Sequence, residues 1–345
     1  MKRLFALLLC FTLLLSGCNK KSDESSAPDE PSAPEVKVIY NPLTGEPGYD
    51  EGLLNTRPMS VMVSNIKVAL PQYGLDSADI CYEMETEGGI TRIMAIFSDY
   101  KSMPKVGPVR SARHPFIEFS SSYNPIFTHF GGSTLAYDML KAKNVDDIDG
   151  MTYSTTAFSY DAKLGKQKGK EHANFTDGEL IQNAIDKKGI STDNGSAVAS
   201  AFRFAKPEEP VSFTSVATEV SVKMSGYCTA GFTYDSTTKK YLKSEFGAPQ
   251  IDANTGKQIS VDNVFVLFSS VTDVPNSTIL KNIDTTGGAG YYITGGTYTP
   301  ITWKKGAYGT KLKVMDANGE ELLVNPGQSW ICITDSSNKE HVTME

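Results

Sequence analysis

Arginine is the scarce and unevenly placed cation of this chain. Six of its 33 basic residues are arginine, and four of the six, Arg57, Arg92, Arg110 and Arg113, fall between residues 57 and 113. Lysine supplies charge elsewhere, including Lys163, Lys166, Lys168 and Lys170 in one run. A guanidinium presents five donors in a rigid plane suited to carboxylate or phosphate, which a lysine ammonium does not. The stretch Gly107-Pro108-Val109-Arg110-Ser111-Ala112-Arg113-His114 puts two of these forks, a hydroxyl and an imidazole beside an expected helix start. Free backbone donors and the helix dipole favour an anion there. Two readings stand side by side. In one, Arg92, Arg110, Ser111 and Arg113 bind an anionic ligand. In the other, the arginines pair internally with Glu83, Glu85 or Glu87 and hold the domain together.

Those three glutamates share one parity of an alternating segment, so they aim at one face of a strand. A carboxylate pair at that spacing resembles the acid and base of a glycosidic centre, but the simpler expectation is an outward, salt-bridged face. Phe127-Thr128-His129-Phe130-Gly131-Gly132-Ser133 adds a second candidate cluster. Its Gly131, Gly132 and Ser133 would let backbone N–H groups approach a ligand, and His129 could move a proton near neutral pH with Glu87 assisting. A buried structural histidine is the alternative. The four histidines show no tight ligand spacing, so no metal site and no cofactor are expected. Ser98-x-x-Lys101 lacks the companion motifs of penicillin-recognising enzymes, and Asp252–Gly256 misses the calcium-loop pattern at its sixth and twelfth positions.

The elements that must position these residues are mixed. Alternation predicts strands over 58–65, 79–86 and 90–97, the last two joined by a hairpin through Glu87-Gly88-Gly89. Helical spacing predicts helices over 111–123, 134–143 and 175–188, the last with Asp177 near its start and Gly189 near its end. Beyond Lys206-Pro207-Glu208-Glu209-Pro210 the pattern is nearly all strand, with Asn318-Gly319 the strongest local hairpin signal. The fold class expected is α+β: layered sheets with helices packed against them, a three-layer β-β-α sandwich being one such arrangement, and a strand-rich C-terminal part. The division is an N-terminal α/β domain over 40–205 and a C-terminal domain over 206–345.

The first residues read as an address. Lys2 and Arg3 precede an apolar stretch, Leu4 to Leu15, too short to span a bilayer comfortably, so 1–17 is expected to be a cleaved signal peptide. Leu15-Ser16-Gly17-Cys18 resembles the lipobox of bacterial lipoproteins, which implies lipidation of Cys18 and an extracytoplasmic protein anchored to the cell membrane. Residues 18–39, poor in apolar residues, would be a disordered tether. Cys81, Cys228 and Cys332 remain, and are expected to be buried thiols or to include one disulfide. The 345 residues, with 40% hydrophobic and 21% charged content, can build a large core. A formal charge of -7 and a pI near 5.3 argue against a general nucleic-acid binder.

Several motifs together carry a family resemblance. Arg57-Pro58, Asn65, Pro71-Gln72-x-Gly74-Leu75, Ala78-Asp79, Glu87-Gly88-Gly89-x-Thr91-Arg92, Gly107-Pro108-Val109-Arg110-Ser111-x-Arg113, His129-x-Gly131-Gly132-Ser133, Asn263-Val264, Thr302-Trp303-Lys304-Lys305 and Asn325-Pro326-Gly327-x-x-Trp330 resemble the YerB-like family of bacterial lipoproteins. That family is a domain of unknown function with a companion C-terminal domain. The resemblance implies layered α/β architecture and no established activity. It departs where lysines replace arginines ahead of His172, and where Gln250 stands in place of histidine. Three functions follow as expectations. The first is binding of an anionic cell-wall or lipid-linked ligand, or an envelope protein partner, through the arginine region. The second is an envelope hydrolase or transferase acting on a phosphorylated or carboxylated substrate. The third is an assembly factor presenting Trp303 and Trp330, for which burial in the core is the competing use.

Overall fold

The computed structural model describes residues 37–277 and 280–345. The signal peptide, Cys18 and most of the tether lie outside the described residues. Alternation in the first third produces β1 (Met59–Asn65), β2 (Ile80–Glu85) and β3 (Thr91–Phe97). β3 lies between the other two and runs antiparallel to both, with Cys81 opposite Ala95 and Val61 opposite Ala95 on its other side. The hairpin expected at Glu87–Gly89 forms, and Gly88 and Gly89 both adopt positive φ there (67° and 76°). β4 (Ile126–His129) and β5 (Asp147–Asp149) extend the sheet in parallel beyond β1.

Five α-helices follow: α1 (His114–Ser120), α2 (Thr134–Ala142), α3 (Gly150–Tyr153), α4 (Ala162–Lys168) and α5 (Gly178–Lys188). The helix expected from 111 starts at His114 because Ala112 N is already committed to the Gly131 carbonyl at 2.9 Å, and Pro115 fits the first turn. The helix expected from 175 starts at Gly178, since Asn174–Phe175 pairs as a short strand with Ser159–Tyr160. Its caps are as read: the Asp177 carboxylate accepts from Leu180 N, and Gly189 is left-handed at φ 70°.

The second half supplies β6 (Glu219–Lys223), β7 (Thr229–Asp235), β8 (Lys240–Glu245), β9 (Asn263–Ser269), β10 (Gly288–Thr294), β11 (Thr297–Lys304), β12 (Lys313–Met315), β13 (Ser329–Asp335) and β14 (Val342–Met344). The main sheet has eleven strands in the order β12-β11-β10-β9-β13-β2-β3-β1-β4-β5, with Ser215–Val216 also pairing with β11. β13 is parallel to both β9 and β2. A second sheet of six strands is built on β8-β7-β6-β14.

One face of the main sheet, with Val61, Val63, Ala95, Val264 and Trp330, packs on Val222, Phe232 and Tyr241 of the second sheet and on Ile181 and Ile185 of α5. The other face, with Met62, Tyr82, Met94 and Phe265, packs on Phe116, Ile117 and Phe119 of α1 and Leu140 of α2. Each buried aromatic or aliphatic side chain stabilises this arrangement by about 1.5–3 kcal/mol. The architecture is therefore α+β, with the second sheet, the main sheet and helices in three layers. The boundary placed at 206–210 does not separate two bodies. Residues 38–345 form one compact unit, because strands from both sides of that segment share the main sheet.

Candidate functional site

The Arg110–Arg113 segment is extended and held on two sides. Arg110 N donates to Met62 O of β1 at 2.8 Å, taking up edge positions that β4 does not reach. On its other side Phe130 N donates to Arg110 O at 3.0 Å and Ala112 N to Gly131 O at 2.9 Å. Gly131 turns the chain at φ 72°. These bonds bring the arginine segment and the Gly131-Gly132-Ser133 turn together. Ser133 serves as N-cap of α2, its hydroxyl accepting from Ala136 N.

Glu87, carried by the β2–β3 hairpin, is the hub. Its Oε1 accepts from Arg92 Nη2 and Arg113 Nη2, both at 2.5 Å, and its Oε2 from Arg113 Nε at 2.8 Å. Burial works to raise this carboxyl, yet the Arg113 hydrogen bonds and the charges of Arg92 and Arg113 hold it at about 2. Arg92 is 2% exposed and also donates to Ser111 O at 2.9 Å. Burial first, then the Arg113 charge, pushes it down to about 9. Arg113 donates further to Ala112 O at 2.7 Å. Arg110 differs: it is half-buried, and its one side-chain hydrogen bond among the described residues is 3.4 Å long, to the Glu171 carbonyl. Burial lowers its pKa, and the charges of Glu171 and Glu87 oppose that shift. Two guanidiniums thus bind one carboxylate, a third lies within reach of its charge, and Glu171 is largely in solvent nearby.

The other carboxylates of the parity set sit elsewhere. The face shared by Cys81 and Glu83 is covered by the second sheet, so Glu83 is fully buried rather than outward. Glu85 lies 3.5 Å from Lys281 Nζ. Glu83 accepts from Trp330 Nε1 at 3.0 Å and from Asn65 Nδ2 at 3.0 Å. Lys243 Nζ, also fully buried, lies 2.5 Å from Glu245 Oε2 and 3.7 Å from Glu83 Oε2. Burial and the Glu245 charge raise the Glu83 pKa, while Glu245 and Glu83 overcome desolvation to raise that of Lys243. Cys228 Sγ lies 2.7 Å from Glu245 Oε1. Glu83, Cys228 and Glu245 bring potential metal-ligand atoms within 4.8 Å of one another, and the Lys243 ammonium supplies the cation that compensates the carboxylates. This cluster was missed in the sequence, although Lys243 and Glu245 share parity with the buried Tyr241, which is the signal that marks them as inward.

His129 is buried, with Nδ1 2.7 Å from Gly131 O and Nε2 3.0 Å from Asp147 Oδ2. Both ring nitrogens are therefore engaged by oxygen atoms of the protein. Neither nitrogen is left for a substrate, and Glu87 is committed to arginines, so the His129–Glu87 proton relay is not formed. His129 ties the turn to β5. Trp303 and Trp330 are 2% and 0% exposed, which removes them as surface anchors. Cys81, Cys228 and Cys332 are buried free thiols.

Layered sheets, an arginine–glutamate hub and a buried lysine–carboxylate cluster define a protein class whose activity is unassigned. Residues 43–191 match the N-terminal domain, and residues 220–331 the C-terminal domain, of a protein family of unknown function, DUF3048. The chain belongs to that family. It is 30% identical over 338 residues to the Bacillus subtilis (strain 168) protein named "Putative lipoprotein YerB", covering 94% of this chain and 93% of that one. The crystal structure of YerB protein from Bacillus subtilis superposes with a TM-score of 0.78 at 27% identity, covering 89% of this chain and 99% of that chain. Among the described residues no helix is long and apolar enough to cross a membrane.

Proposed function

We propose that this protein is an extracytoplasmic lipoprotein, anchored through Cys18, that binds an anionic cell-envelope ligand at Arg110. The observation that carries the reading is the contrast within the arginine cluster. Arg92 and Arg113 are fixed by Glu87 and by backbone carbonyls, whereas the Arg110 fork is half-buried and makes one long hydrogen bond. Fixed cations that outnumber their bonded carboxylate raise the local potential, and a pre-positioned guanidinium can engage phosphate or carboxylate through two donors. Ser111 adjoins Arg110 in the chain, and the turn at Gly131 is hydrogen-bonded to the backbone of the same segment. Arg92 and Arg113 then act by field and by holding the segment, and Arg110 makes the contact. The lipobox residues Leu15–Cys18 and the name of the Bacillus subtilis relative support the anchor.

Calorimetry with inorganic phosphate, an isoprenyl phosphate and a muropeptide tests the ligand reading. Arg110→Ala is expected to weaken any binding found by at least about tenfold, or roughly 1.4 kcal/mol, with Arg110→Lys recovering only part of it. Equal affinity of wild type and Arg110→Ala for every ligand would remove the site. For the anchor, Cys18→Ala is expected to shift the protein from the membrane fraction to the soluble extracytoplasmic fraction. Continued membrane association of that variant would contradict it.

A further inference from the structure

A cavity with a volume of about 450 Å³ and a largely polar lining lies apart from the arginine hub. That size falls in the range of small-molecule sites. Its frame is Arg57, 6% exposed, which donates to Asn124 O at 3.0 Å, Pro125 O at 3.2 Å, Ser191 O at 3.1 Å and Asp146 Oδ2 at 2.5 Å. One buried guanidinium therefore braces three separate stretches of the wall, and all its bonding is internal.

Two observations separate this cavity from an ordinary crevice. Asn124 and Asn144 both line it, and both adopt left-handed backbone, at φ 50° and 49°. Only five described non-glycine residues have positive φ, and two of them meet here. Asn124 caps the helical turn Ser121–Tyr123 and Asn144 directly follows the cap of α2, endings where left-handed asparagine is usual, so two helix ends place two amides at this cavity. The second observation is charge balance. Arg57 and Lys143 are matched by Asp146 and Asp193, unlike the cationic excess around Glu87. Tyr308 supplies an aromatic wall, with Lys143 Nζ 5.3 Å from its ring centroid.

We infer that this cavity binds a neutral, polyhydroxylated ligand, one or two sugar rings in size. Asn124 Nδ2 donates to Asn194 Oδ1 at 2.8 Å, Asp146 Oδ2 accepts from Arg57 and Asp193 Oδ1 from Gly195 N, so vicinal hydroxyl groups would meet the Asn144 amide and the remaining carboxylate oxygens. The charges of the lining cancel, which gives a phosphate or carboxylate no advantage over a neutral molecule. An aromatic wall adds apolar contact for the C–H face of a sugar ring.

The test uses the lipid-free mature protein and NMR titration with glucose, maltose, N-acetylglucosamine and its β-1,4-linked dimer at about 10 mM, enough to detect millimolar Kd values. At least one saccharide is expected to shift resonances of residues 124, 144 and 193. Asn144→Gly removes the amide while suiting the left-handed backbone, so it is expected to keep or raise Tm and to weaken saccharide binding at least tenfold. Arg110→Ala is expected to leave that binding unchanged, which separates this site from the anion site. No shift with any saccharide, undiminished binding in Asn144→Gly, or inorganic phosphate as the preferred occupant of this cavity would each overturn the inference.

Discussion

Substituting Glu87 by glutamine isolates the charge balance of the arginine hub. In the folded protein this carboxyl is held at about 2 against an ordinary value of 4.5. The difference of about 2.5 pH units, at 1.36 kcal/mol per unit, corresponds to roughly 3 kcal/mol of stability. Because the folded value is depressed, that contribution is complete above pH about 4.5 and disappears as pH falls through about 2. Glu87→Gln keeps the side-chain shape and removes the charge, leaving Arg92 and Arg113 without their hydrogen-bonded carboxylate and Arg110 without its opposing charge. Denaturant unfolding at pH 7 is therefore expected to show a loss of about 3 kcal/mol with an unchanged m-value. The wild-type decline between pH 4.5 and 2 should shrink by a similar amount in the variant. Sulfate should restore more stability to the variant than chloride does at matched ionic strength, since an anion can take the vacated position. A variant within about 1 kcal/mol of wild type at pH 7, with the same acid limb, would refute the hub.

Lys243→Met should destabilise the protein by about 3–5 kcal/mol by stranding Glu83 and Glu245 in the core, and the triple variant Glu83→Gln/Lys243→Met/Glu245→Gln should regain most of that loss in the same unfolding measurement. Gly131→Ala should cost about 1–2 kcal/mol through its φ of 72° rather than by collision, since a Cβ there would meet its nearest neighbours at ordinary contact distance. Cys81, Cys228 and Cys332, whose thiol pKa values are all pushed up, chiefly by burial, should resist a maleimide in the native state. All three should label together on unfolding, as mass spectrometry would report.

Much of the local structure is legible in the chain because its causes are local. Asp177 and Gly189 bound α5 as capping chemistry dictates, and Glu87-Gly88-Gly89 closes a hairpin because two glycines accept positive φ. The parity of Glu83 is equally readable, but what covers that face is not. The cover comes from Lys243 and Glu245, 160 or more residues further on, and no alternation within β2 distinguishes solvent from a second sheet. The shift in texture near 206–210 falls between the two family domains, but strand pairing crosses it and joins both into one compact unit. Counting arginines locates the hub, yet the division into two anchored forks and one freer fork depends on where Glu87 Oε1 and Oε2 point. His129 is the reverse case: its residue type suggests chemistry, and its partners on β5 and at Gly131 use it for architecture.

The position of β13 sets a timetable for the chain. This strand, which follows both of its neighbours in the chain, is inserted between β9 and β2 and pairs with seven residues of one and five of the other. Until residues 329–335 are present, β2 and β9 are two unfinished inner borders, each with a row of unpaired amides and carbonyls. The N-terminal strands can form their own meander, but the sheet cannot close across the molecule until residues 329–335 are free to pair. Long-range closure of this kind is slow relative to local helix and hairpin formation. A chain cut short before residue 329 would keep both borders open to pairing with other chains.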